Sequence, residues 1–300
     1  MKLTVAICTR NPRRDYLNRV LQALAQQTLP RSDWELLLVD SASDSPLTDE
    51  VVTRAGLTCR VVRLDVSGIL RARFAAIAHA QAPLLLFLDD DNVPARDFIE
   101  RGLELSAQWP MLGCWGPGRI IPECETPPSQ VIQDNLGRMA CCDIVADRWS
   151  NTLEVIPPGA GMFLRLDCAR AYAAQYERDP RRELVGEGAS QFFRGEDTDI
   201  VFFIVKSGLG AGQFRSLHLT HLIPNRRLDE GYIVKLAKAA AGSAMIVNYF
   251  WGVSPRRESL LDRIVYHLKA LRFRGLARRI ARAHREGEAE ARELIRSLKS

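Results

Sequence analysis

The sequence predicts an α/β fold with a mostly parallel central sheet, flanking helices and a helical C-terminal extension. Two observations predict it. Short apolar, β-branched runs alternate with segments of helical period through the first third of the chain, the pattern of βαβ units. Three of the runs end in polar clusters, Thr9-Arg10-Asn11, Asp40-Ser41-Ala42-Ser43-Asp44 and Asp89-Asp90-Asp91. Parallel sheets bind ligands beyond the carboxyl ends of their strands, so the clusters are expected to converge on one crevice.

The elements follow in order. Residues 3–8 read as a buried strand, and 16–27 as a helix with Leu17, Val20, Leu21 and Leu24 on one face. Further strands are expected at 34–39, 59–64 and 84–88, with a helix at 70–80 entered through Gly68. The middle, 109–158, is broken by Pro, Gly and Trp and has weak periodicity; within it 152–156 reads as a strand. The acidic group Gly195-Glu196-Asp197-Thr198-Asp199 opens a helix-like run over 200–206. Beyond Pro255 a stripe of Leu261, Ile264, Val265, Leu268 and Leu271 marks a separate helix, with Gly275 and Gly287 as expected interruptions. The predicted division is a catalytic α/β domain over 1–225 and a helical, basic region over 226–300.

At 300 residues and 47% hydrophobic composition the chain can bury a large core and carry an appendage. Spanning a bilayer takes about 18 apolar residues in a row, and no stretch reaches that. The nearest, 239–253, contains Gly242, Ser243 and Asn248 and reads as buried or interfacial. The first residues run into a strand without a basic leader or cleavage site, which predicts a cytoplasmic protein. The seven cysteines show no regular spacing and no CxxC pair, and Cys141 and Cys142 are adjacent; they read as reduced thiols without a zinc site.

The net charge of +5 is uneven. Residues 256–300 hold thirteen Lys or Arg against six Asp or Glu, a balance of +7 that leaves −2 for the rest. An arginine-rich amphipathic helix can lie on an anionic membrane, which would put the protein peripherally at the inner face of the plasma membrane. Equally, the stripe can pack on the catalytic domain with its arginines solvated. No nucleic-acid partner is expected, since aromatics are not interleaved with the basic run.

Three consecutive aspartates at a strand end repel one another unless a cation or hydrogen bonds compensate. Hard oxygen ligands suit Mg²⁺ or Mn²⁺, and alternation along an extended segment lets Asp89 and Asp91 face one site. The other reading is a helix N-cap, because Asp91-Asn92-Val93-Pro94 can also start a helix.

The segments Val5-Ala6-Ile7-Cys8-Thr9-Arg10-Asn11, Leu37 to Asp44, Gly68 to Phe74, Leu86-Phe87-Leu88-Asp89-Asp90-Asp91, Gly159-Ala160-Gly161-Met162 and Gly195-Glu196-Asp197 stand in a telling order. With them the chain resembles the family 2 glycosyltransferases of the GT-A fold, over roughly residues 3–230. The resemblance implies a Rossmann-like nucleotide-sugar-binding domain. It also implies inverting, metal-assisted transfer of a sugar from a UDP- or GDP-linked donor to a hydroxyl of a glycan or lipid-linked acceptor. The setting would be cell-surface or extracellular polysaccharide or glycolipid synthesis. It places Thr9, Arg10, Asn11, Asp40, Arg73, Asp90 and Arg227 at the donor, with Asp40 on the edge of the base, where a carboxylate accepts from a uracil or guanine N–H. It gives the metal to Asp89, Asp91 and His221, the base role to Asp197 and a supporting role to Glu196. The family commonly has Asn and Gly where Phe74 and Ala76 stand, a departure beside the ribose and phosphates.

Read without the resemblance, each of these residues has a plainer role. Asp40 suits a turn, Glu196 and Asp197 an acidic helix N-terminus, His221 a packed polar group, and Arg227 a solvated loop. Two rival functions stand beside the transferase: a sugar nucleotidyltransferase, which lacks its glycine-rich triphosphate cradle here, and a non-catalytic nucleic-acid or membrane-binding module using the tail.

Overall fold

The computed structural model describes residues 1–179, 182, 195–253 and 274–298. They form two compact units, the first of residues 1–123, 140–179 and 200–223, the second of 124–139, 180–199 and 224–300. One cut between them falls at 223/224, and two inner segments group with the C-terminal part.

The first unit is built on a ten-stranded sheet. In chain order its elements are β1 (Leu3–Thr9), α1 (Arg14–Ala25), β2 (Trp34–Ser41), α2 (Glu50–Thr53), β3 (Arg60–Leu64), α3 (Ile69–His79), β4 (Leu84–Phe87), β5 (Asn92–Pro94), α4 (Phe98–Gln108) and β6 (Leu112–Cys124). After α5 (Gln130–Gln133), in the second unit, come β7 (Cys142–Asp143), β8 (Arg148–Ser150), β9 (Met162–Arg165), α6 (Leu166–Glu177), α7 (Glu196–Lys206) and β10 (Gly210–Ile223). The strand order is β3-β2-β1-β4-β9-β6-β10-β5, with β7 on β6 and β8 on β10. Strands β3, β2, β1 and β4 are mutually parallel, as the βαβ pattern requires; β9 then joins β4 antiparallel.

Alternation along the strands divides the core between the two faces. Leu3, Val5 and Ile7 of β1 and Leu36 and Leu38 of β2 meet Leu17, Val20, Leu21 and Leu24 of α1 and Phe98 and Ile99 of α4. Ala6, Leu37, Val39, Leu85 and Phe87 point the other way, to α3, α6 and the part of α7 from Ile200 onward. Burying one such side chain contributes about 1.5–3 kcal/mol, so the apolar stripe of α1 outweighs the lack of a side-chain cap at its N-terminus.

Two expectations are corrected here. Residues 152–156 are not a strand: the Thr152 N–H donates to Ser150 Oγ at 2.9 Å, folding the chain into a hydroxyl-stabilised turn, and Pro157 and Pro158 remove the donors a ladder needs. The weakly periodic middle instead contains β6, a strand of 13 residues in which Gly118 admits the backbone of Phe214 and Arg215; a Cβ there would sit 2.8 Å from both.

In the second unit α8 (Glu230–Phe250) starts at Asp229, whose side chain caps the Tyr232 N–H, and packs on α9 (Gly275–Ser297). Ion pairs Glu230–Arg279 and Lys238–Glu290 advance in the same sense, so the two helices run parallel. Gly287 does not interrupt α9. It is where the helices touch, since a Cβ on it would lie 2.1 Å from the Lys238 carbonyl oxygen. Gly275 is the first residue of α9, with φ at +54°, and so marks its start. The predicted stripe from Leu261 to Leu271 lies outside the described residues. Among the described residues no helix is long and apolar enough to cross a membrane.

Candidate functional site

The parallel block brings three strand ends side by side. Thr9 of β1 pairs with Asp40 of β2, and Ala6 with Phe87 of β4, so Thr9, Asp40 and the aspartates after β4 share the carboxyl edge. Strand order reverses at β1, between β2 and β4, which is where such sheets open a crevice.

The loop after β2 is organised from within. Asp40 is fully buried; its Oδ1 accepts from the Ser43 N–H at 3.0 Å, and its Oδ2 from the Leu47 N–H at 3.0 Å and Arg63 Nη1 at 2.5 Å. Burial opposes ionisation of this carboxyl, and the hydrogen bonds from Ser43, Leu47 and Arg63 outweigh it, holding its pKa below the ordinary value. These contacts hold Ala42 at a φ of +56°, a conformation that costs a non-glycine residue roughly 1–2 kcal/mol. The carboxylate of Asp40 is thus engaged by the loop that follows it and by Arg63 of β3. Of its two readings, the turn-forming one is what the structure displays.

The neighbouring loops are tied to it. Ser41 Oγ accepts from the Gly68 N–H at 2.9 Å, fixing the entry to α3. Asn11, exposed and at φ +49°, exchanges hydrogen bonds with Asp44: its Nδ2 donates to Asp44 Oδ2 at 3.0 Å and the Asp44 N–H donates to its Oδ1 at 2.9 Å. Arg10 is exposed beside it. The Thr9 hydroxyl donates to Asp90 Oδ2, which turns Asp90 toward β1. Arg73, on the second turn of α3, lies half-buried with its guanidinium 5.2 Å from the Phe87 ring.

Asp91 is brought to His221 by the sheet. Strand β5 pairs antiparallel with β10 so that Asn92 faces His221, and the Leu222 N–H donates to the Asp91 carbonyl at 2.8 Å. His221 Nε2 consequently lies 3.7 Å from Asp91 Oδ2, both side chains largely buried, with Cys141 Sγ 4.0 Å from the other ring nitrogen. Asn92 is a site residue that sequence reading passed over, although an amide next to three carboxylates was a visible signal. Its Nδ2 donates to Asp91 Oδ1 at 2.8 Å and approaches Asp89 Oδ2 at 3.5 Å, so it offsets their repulsion. Its Oδ1 is buried without a hydrogen-bond partner.

Among the described residues no group of three His, Cys, Asp or Glu side chains is gathered for a metal, so the expected trio of Asp89, Asp91 and His221 is not an assembled cage. Asp91 and His221 do fit a Mg²⁺ or Mn²⁺ site of another kind. Mg²⁺ commonly keeps several waters and takes one or two carboxylates plus substrate phosphates, and imidazole is a nitrogen donor better suited to transition metals such as Mn²⁺.

The second acidic group opens α7. Glu196 is buried, and Asp197 is half-buried with Oδ1 accepting from the Thr198 N–H at 2.7 Å. Arg227 ends a short 3₁₀ turn, Asn225–Arg227, in the second unit.

A model of the family described as glycosyl transferase family 2 matches residues 4–161. The chain belongs to that family. It is a glycosyltransferase, and its fold is GT-A. Among solved structures it is similar to the mannosyltransferase PcManGT from Pyrobaculum calidifontis in complex with GDP-Man and Mn²⁺. The TM-score there is 0.57 and the identity 20%, covering 99% of this chain and 79% of that one. It is also similar to S. aureus TarS 1-349 in complex with UDP-GlcNAc, with TM-score 0.51 and 12% identity, covering 100% of this chain and 92% of that one. Against the longer S. aureus TarS chain the TM-score is 0.50 at 15% identity; 83% of this glycosyltransferase aligns, and it spans 40% of that chain. No curated protein sequence matches it significantly.

Proposed function

We propose that this glycosyltransferase moves a sugar, with inversion, from a UDP- or GDP-linked donor to a hydroxyl of a glycan or lipid-linked acceptor, in the synthesis of cell-surface or extracellular polysaccharide or glycolipid. The observation that carries the reading is the Asp91–His221 pair, 3.7 Å apart at the carboxyl edge of the parallel strands. These two residues would hold Mg²⁺ or Mn²⁺. When bound, the ion neutralises charge on the leaving nucleoside diphosphate.

The remaining roles fall to the chain itself. Arg73, Arg10 and Arg227 offer guanidinium donors to the diphosphate. Thr9 with Asp90, and Asn11 with Asp44, line the donor side, and Asp40 with Arg63 keeps that loop in one shape. Asp89, held through Asn92, adds to the negative field that favours a cation. Asp197 takes the proton of the acceptor hydroxyl as its oxygen bonds to the anomeric carbon; the bond from that carbon to the diphosphate oxygen breaks, and the nucleoside diphosphate leaves with the electron pair. Glu196 orients the acceptor or supports Asp197.

Calorimetric titration of UDP and GDP into the protein, with Mn²⁺ and with EDTA, tests the donor site. Binding of one nucleotide that needs Mn²⁺ supports it; identical weak binding with EDTA sinks it.

The tail is proposed to touch an anionic membrane surface peripherally. In its described part, α9 keeps Leu276, Ala283, Gly287 and Ala291 buried, so what it offers outward is charge. Pelleting on phosphatidylglycerol vesicles should then fall with salt, as screening demands, and fall further in an Arg274→Ser/Arg278→Ser variant. Equal pelleting on neutral vesicles would remove the idea.

A further inference from the structure

Asp199, two residues beyond the proposed base, is fully buried and held from two sides. Arg182 Nη1 lies 3.0 Å from each of its carboxylate oxygens, and the Trp251 indole N–H donates to Oδ1 at 2.6 Å. The guanidinium of Arg182 in turn lies 4.6 Å from the centre of the Trp251 ring and 5.4 Å from that of Phe250. Immediately before the helix, Gly195 is seated on α8, where an added Cβ would lie 3.0 Å from Val247 Cγ2. All these residues belong to the second unit. The end of α8 thus grips the first turn of α7.

An ion pair this deeply buried is a poor source of stability, because desolvation offsets most of the attraction. What it supplies is a unique placement. Residues two apart on a helix point about 200° apart, so Asp199 anchors the turn from inside while Asp197, half-buried, is left facing elsewhere.

We propose that Arg182 and Trp251 are positioning residues for sugar transfer: by clamping Asp199 they set the first turn of α7 and thereby the direction of the Asp197 carboxylate. The inference rests on Asp197 being the base. It gives the end of α8 a part in catalysis.

The test compares Asp197→Asn, Trp251→Phe and the wild type in release of nucleoside diphosphate from UDP-GlcNAc and GDP-mannose, with water as acceptor, alongside calorimetric binding of UDP and GDP with Mn²⁺. Trp251→Phe keeps the ring over Arg182 and deletes only the donor to Asp199. It is expected to lower kcat about tenfold, the size of one hydrogen bond to a charged group, with donor KM and nucleotide binding within about twofold of wild type. Asp197→Asn is expected to lose about 10²–10⁴ in kcat, the range for a general base. An inactive Asp197→Asn with an unaltered Trp251→Phe kcat would overturn the positioning role alone. So would a Trp251→Phe variant whose nucleotide binding and Tm fall together with kcat, since the clamp would then be only structural. Full activity of Asp197→Asn would remove the base assignment and this inference with it.

Discussion

His221 Nε2 stands 3.7 Å from Asp91 Oδ2 because β10 pairs with the short strand that begins one residue after Asp91. The register, not the distance along the chain, makes these two side chains neighbours.

That neighbourhood predicts a metal preference. Asp91→Ala should abolish the Mn²⁺-dependent part of UDP or GDP binding. His221→Ala should weaken it at least about tenfold, the loss that even outer partners of metal ligands cause. The His221 effect should be larger in Mn²⁺ than in Mg²⁺, since imidazole suits transition metals better. Equal losses in the two metals, read by calorimetry, would take His221 out of the site.

The buried Asp40 predicts an acid limit to stability. Its folded pKa is depressed below the ordinary 3.8, so its contribution is fully present above that value and is lost as pH falls through the lower folded pKa. Asp40→Asn should destabilise by about 1.5–3 kcal/mol at neutral pH, as for hydrogen bonds to a charged group. Under the proposed donor site, nucleotide affinity should drop with it. Denaturant melts at pH 7 and pH 3 would check this: the gap between variant and wild type should shrink at the lower pH, and a constant gap would contradict the assignment.

The Gly287 contact predicts that α8 and α9 cannot tolerate a larger residue at their crossing. Gly287→Ala puts a methyl 2.1 Å from the Lys238 carbonyl oxygen. Ala is intrinsically the better helix former by about 0.8–1 kcal/mol, yet overpacking of about 1–3 kcal/mol should outweigh it. A lowered Tm is expected, with protease nicking first in the second unit. A raised Tm would mean that the helices part at little cost.

How much was readable in advance can be judged from particular elements. Strands β1 to β4 and helices α1 and α3 were expected within one or two residues, because each is set by local periodicity and closed by local breakers. The strand β6 was not, since Gly113, Gly116, Pro117 and Gly118 look like a loop until β10 lies against them. The gathering of the three aspartates and the Thr9 cluster at one carboxyl edge was legible. The burial of Asp40 was not, because a carboxylate that caps its own loop and one that reads a base have the same neighbours in sequence.

By itself, the sequence determined the βαβ core, the polar ends of its parallel strands and the family to which they belong. Each of these depends on patterns a few residues long. Only the tertiary structure decided that Asp91 meets His221, that Asn92 braces the aspartates, that Asp40 faces inward and that Trp251 reaches Asp199. Asp91 and His221, like Trp251 and Asp199, are separated by many residues along the chain, and strand register and helix packing, which no local period encodes, make them neighbours.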